Sequence, residues 1–146
     1  MVDREANLTA LFYFHDRPLA SGTETDQVIL VVCRDQGLQQ VVWVGRPLGD
    51  VAAASAREAM RRKGVRRHGE PRIGPAANAL EWPEARTTLA MRMGDDSTRM
   101  LVMTVSGPGF AACSAVHRAA TGHPAESHVT DLLGENGPQA GHDTQP

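Results

Sequence analysis

Six consecutive apolar residues, Val28-Ile29-Leu30-Val31-Val32-Cys33, constrain this chain more than any other feature. Most are β-branched, and a run this short is a strand rather than a helix. Side chains of a strand alternate between the two faces of its sheet. Val28, Leu30 and Val32 therefore point one way, and Ile29, Val31 and Cys33 the other. A strand that is apolar on both sides belongs in the middle of a sheet with both faces covered. Asp35-Gln36-Gly37 follows as a turn, with Gly37 suited to the left-handed position. Gln39 to Val44 then returns as the partner strand, which makes a first hairpin carrying Trp43.

The remaining elements fall around this hairpin. Leu8 to Phe14 is an apolar run that reads as an N-terminal strand and ends at the turn residues Asp16 and Pro18. Asp50 is an N-cap for a helix over Val51 to Lys63, with Arg61, Arg62 and Lys63 at its cation-favouring end and Gly64 as its stop. Residues 64–87 carry Gly64, Gly69, Pro71, Gly74, Pro75 and Pro83 and read as a long loop with at most one short strand or turn inside, of a length that is often functional. Leu89, Met91 and Met93 alternate with Ala90 and Arg92. After the turn Gly94 to Ser97, Arg99 to Val105 completes a second hairpin. Ser106-Gly107-Pro108-Gly109 breaks the chain before a second helix over Phe110 to Ala120, stopped by Gly122. Pro124 opens a short third helix to Leu133.

This order predicts an α+β protein with a single antiparallel sheet of about five strands, two hairpins plus the N-terminal strand. Two or three helices are expected on one face. The order resembles that of profilin-like and related sensor-type folds, and of several ferredoxin-like variants; the resemblance is one of topology alone. A chain of 146 residues is one domain's worth, read here as a domain over 1–134 and a polar, disordered and dispensable tail over 135–146.

Composition narrows the function classes. The net charge of −2 draws in neither nucleic acid nor anionic lipid globally. Arg outnumbers Lys fourteen to one, as GC-rich bacterial coding tends to produce. The charged start Met1-Val2-Asp3-Arg4-Glu5 is unlike a signal peptide, and no apolar run approaches the ~18 residues of a membrane span. Cys33 and Cys113 both sit in apolar runs and read as small buried hydrophobes with reduced thiols, which predicts a cytoplasmic protein.

Several constellations bear on chemistry. Cys113, His117, His123 and His128 offer metal-ligand types, but the spacing C-x3-H-x5-H-x4-H fits no zinc motif, so no metal or other cofactor is expected. A Cys113–His117 nucleophilic pair would place the thiol a turn inside the helix and off its axis. Gly107-x-Gly109-x-x-Ala112 has the letters of a dinucleotide fingerprint, but follows a hairpin strand and precedes no clear strand, so it reads as a chain turn. Arg57, Arg61, Arg62, Lys63, Arg66, Arg67 and Arg72 put seven of fifteen basic residues into sixteen positions. Elsewhere eight basic residues face fifteen acidic ones, so this stretch is the expected contact for an anionic partner, an acidic protein ahead of nucleic acid. No aromatic lies inside it to stack on bases.

The favoured functional reading is a small non-enzymatic partner-binding or regulatory module. It self-associates as a homodimer through a sheet face, which Met91, Met93, Met100 and Met103 help to line. The first alternative is a small-molecule-binding protein or enzyme with a pocket between the sheet and the 64–87 loop, using Asp16, Glu81, Glu84 and the histidines. The second is a nucleic-acid-associated regulator working through residues 57–72. No catalytic residues are assigned.

Overall fold

The computed structural model describes residues 2–14, 25–75, 79–123 and 125. Eight strands form one antiparallel sheet. They are β1 (Val2–Glu5), β2 (Leu8–Phe14), β3 (Thr25–Cys33), β4 (Gly37–Gly45), β5 (Arg72–Ile73), β6 (Leu80–Trp82), β7 (Thr87–Met93) and β8 (Arg99–Ser106). Their spatial order is β1-β2-β3-β4-β8-β7-β6-β5. Helix α1 (Asp50–His68) connects β4 to β5, and helix α2 (Phe110–Thr121) follows β8.

The α+β class and the two hairpins agree with the sequence. The strand count is corrected from about five to eight. The three missed strands are short and lie at or near the edges. β1 reads Val-Asp-Arg-Glu, with no apolar alternation to detect. β5 and β6 hold two and three residues and are set among the Gly and Pro of the 64–87 segment, which therefore holds two short strands where at most one is expected from the sequence. Charged or very short edge strands are a usual defence against edge-to-edge pairing, and that defence erases the sequence signal of a strand.

Helix α1 also runs one turn past its expected stop, through Gly64 to His68. A Cβ on Gly64 would collide with the indole ring of Trp82, so this glycine lets the helix approach the sheet rather than ending it. Trp82 Nε1 donates to the Gly69 carbonyl at 2.8 Å, where the helix does end. Asp50 is not the cap: Gly49 holds that position, and the Asp50 carboxylate pairs with Arg99 at 3.0 Å. The expected third helix and the tail lie outside the described residues, although Ala125 is buried in the core.

The helices lie on opposite faces, against the expectation of one. The first hydrophobic cluster packs Leu8, Phe12, Ile29, Val31 and Val42 against Phe110 and Cys113 of α2. The second packs Leu80, Trp82, Leu89 and Leu101 against Ala56 and Met60 of α1, with Trp43 and Met103. Ala53, Ala56, Met60 and Gly64 recur at helical spacing and form the strip of α1 that meets the sheet.

A buried disulfide joins Cys33 of β3 to Cys113 of α2. This corrects the reading of two reduced thiols. Eighty residues separate the pair, and only the fold places α2 over the end of β3.

Candidate functional site

The register arranges side chains in rows that cross the sheet. On the face that carries α1, one row is Val2, Leu11, Leu30, Val41, Val105, Thr87 and Trp82. The next begins Tyr13, Val28, Trp43, Met103, Leu89. Helix α1 covers these rows where they cross β8, β7 and β6. Over β1, β2 and β3 the same rows continue as apolar side chains, and none of them belongs to either hydrophobic cluster. Val28, Leu30 and Val32 are half-buried while their neighbours Ile29, Val31 and Cys33 are fully buried under α2. Val2, Tyr13 and Leu38 are more than half exposed, and Val105 continues the patch on β8.

The opposite face shows the reverse. Its central row begins Phe12, Ile29 and Val42, which α2 covers. Beyond β4 it becomes Thr104, Thr88, Glu81 and Arg72. Among the described residues, each helix thus leaves one end of its own face uncovered, and the two areas differ in chemistry. One is polar and suited to water. The other, among the described residues, carries apolar side chains in the rows through Leu30 and Val28. An apolar surface of this kind is chemically suited to contact with another apolar surface.

The basic stretch does not act as one free cluster. Arg61 forms a bidentate pair with Glu58, at 2.9 and 2.7 Å, and Arg62 reaches the same carboxylate at 3.8 Å. The Arg61 hydrogen bond, followed by the charges of Arg61, Arg62 and Arg57, holds the Glu58 carboxyl below its usual range. The Arg61 guanidinium is shifted upward in turn, chiefly by the bond to Glu58. Arg72 sits on β5 and binds Glu81 at 2.8 Å, away from the helix. Arg62, Lys63, Arg66 and Arg67 remain exposed on the second half of α1.

The 64–87 segment does border cavities. A cleft of about 420 Å³ is floored by Met60, Trp82, Met103 and Val105, with Lys63 and Arg67 among its walls. A wider hollow of about 730 Å³ beside it is lined by Arg67, His68, Glu70 and Glu84. Of the acidic groups considered for a pocket, Glu84 is there. Glu81 lies on the other face with Arg72, and Asp16 is outside the described residues.

The Cys–His set separates. Cys113 is bonded to Cys33, which removes it as a nucleophile or ligand. His117 is buried on the inner side of α2 and meets Glu5 and His123, while His128 is outside the described residues. Nothing in the sequence points to Glu5, which lies 112 positions from His117. The glycine-rich turn before α2 is already occupied: Gly109 N–H donates to the Gln39 side-chain oxygen at 2.7 Å, and Gly107 N–H to the Gln39 carbonyl. An anion has no claim on those donors.

Among the described residues, fold and surface define a single-sheet α+β protein with two helices on opposite faces and one apolar face-half left uncovered. No family model, no curated protein and no solved structure matches the chain. Among the described residues, no helix is long and apolar enough to cross a membrane.

Proposed function

We propose that this chain is a small non-enzymatic, partner-binding module that self-associates as a homodimer through the open apolar face of β1–β4. The row Leu11–Leu30–Val41–Val105 is the observation that carries the reading. A second copy fits this surface better than a charged partner, because the rows through Leu30 and Val28 offer apolar side chains rather than charge for recognition. Two such faces stacked about a two-fold axis form a sheet-on-sheet core about 10 Å thick, as in a β-sandwich. Pairing through the sheet edges is disfavoured by the charges of β1 and the shortness of β5.

A patch variant tests the reading. Leu30→Lys combined with Val41→Lys puts two charges into the centre of the proposed interface and leaves both buried clusters untouched. The variant is expected to be a folded monomer. If it assembles as the unmodified chain does, the face is not the interface.

The exposed arginines of α1 support a second element of the proposal, contact with an acidic protein partner. Nucleic acid stays the alternative there, and a steep loss of binding with salt would mark it. The small-molecule reading rests on the cleft between α1 and the 64–87 segment, whose apolar floor and cationic wall suit an amphiphilic anion. The cytoplasmic placement also remains a proposal. It requires that the buried Cys33–Cys113 bond resist a reducing pool, as shielded structural disulfides do. Thiol titration of protein from acid-quenched cells tests this: no labelled cysteine is expected.

A further inference from the structure

We propose that Glu5, His117 and His123 form a site for one divalent transition-metal ion of the zinc class, clamping edge strand β1 to helix α2. Glu5 is the last residue of β1 and pairs with Leu8, on the face that α2 covers. His117 lies one turn beyond Cys113, whose disulfide fixes the helix. Gly122, at φ 86°, ends α2 and brings His123 back beside His117.

The ligand atoms converge. His117 Nε2 is 2.8 Å from Glu5 Oε1, and His123 Nε2 is 3.7 Å from Glu5 Oε2. One ligand atom from each of the three residues fits within a span of 4.8 Å. A tetrahedral ion with bonds of about 2.0–2.1 Å sets its ligand atoms roughly 3.3 Å apart. The two measured separations bracket that value, so small side-chain adjustments suffice.

The tautomer of His117 carries the argument further. Its Nδ1 lies 3.2 Å from the His123 carbonyl and 3.4 Å from the Thr121 hydroxyl, while its Nε2 lies 2.8 Å from Glu5 Oε1. With the hydrogen on Nε2 the ring donates to Glu5; with the hydrogen on Nδ1, held by the His123 carbonyl, Nε2 turns its lone pair towards the carboxylate, which is the form that binds a metal ion. A histidine whose far nitrogen is anchored to a backbone carbonyl is the usual arrangement of a metal ligand. Two imidazoles and a carboxylate match zinc, cobalt or nickel rather than calcium or magnesium. His117 is fully buried, while the Glu5 and His123 side chains are 34% and 40% exposed. The site therefore opens to solvent on one side, where a water would complete the shell.

The experiment uses the full chain without a histidine tag. It is titrated with Zn(II) by calorimetry and with Co(II) by its visible spectrum. One equivalent is expected, with a tetrahedral or five-coordinate cobalt spectrum. Glu5→Gln and His123→Ala are each expected to weaken binding at least ~10-fold with an unchanged circular dichroism spectrum. His117→Ala abolishes binding, and His68→Ala leaves it unchanged. The two half-exposed variants keep the test decisive if the buried one fails to fold. No binding at about 1 mM ion would show that hydrogen bonds alone hold the three side chains together. Binding that survives both Glu5→Gln and His123→Ala would place the ion elsewhere. Either result overturns the proposal.

Discussion

The sulfur atoms of Cys33 and Cys113 are bonded at the interface between β3 and α2, with neither residue exposed. Asn7, at the β1–β2 turn, donates from its side-chain amide to the Cys113 carbonyl at 3.1 Å. Strand β1, the centre of the sheet and α2 are thus held at one point. This half of the molecule also carries the open apolar face, on the other side of the same strands. A sheet held rigid from behind is well suited to present a flat interface.

Reduction of this bond is expected to lower the unfolding free energy substantially. A cross-link that closes a loop of this length restricts the unfolded chain by roughly 4–5 kcal/mol in the chain-entropy account. Urea unfolding with and without reductant measures it. An unchanged midpoint, with both thiols shown to be free, would mean that the bond adds nothing to the packing around it.

Gly64 and Trp82 give a test of opposite sign to helix propensity. In an exposed helix interior, Gly→Ala stabilises by about 1 kcal/mol. Here the new methyl group would enter the Trp82 ring, so Gly64→Ala is expected to cost about 1–3 kcal/mol. A stabilised variant in thermal or urea unfolding would show that α1 does not lie this close to the sheet.

Much of the central sheet was legible because β3, β4 and β8 carry apolar, β-branched runs and β7 alternates in hydrophobicity, each within a strand of seven to nine residues. The two-faced apolar run of β3 also pointed to a second surface in need of cover. What was not legible depends on contacts between distant residues. Gly64 reads as a helix stop until Trp82 is placed against it. Cys33 and Cys113 read as two isolated hydrophobes until α2 is laid over β3. Glu5 has no local signal at all. The basic stretch illustrates the opposite error: seven charges counted together in sequence are divided by the fold between a helix and β5, and Glu58 takes up part of the remainder.

That division refines what charge reversal should do. Arg62, Arg66 and Arg67 are exposed, and replacing all three with Glu leaves the Glu58–Arg61 pair in place. Negative charges at a helix C-terminus oppose its dipole, by about 0.3–1 kcal/mol each. The triple variant should therefore fold with a modestly lowered melting temperature and keep its oligomeric state. It should lose any acidic partner that the parent chain binds. Dissociation into monomers would place α1, rather than the face of β1–β4, at the interface.

Sedimentation equilibrium of the full chain over a wide concentration range tests the central claim most directly. Self-association through the Leu11–Leu30–Val41–Val105 row predicts a mass of twice 15.7 kDa at high concentration, falling towards one chain on dilution or in the Leu30→Lys, Val41→Lys variant. A mass of a single chain at every concentration would contradict the account.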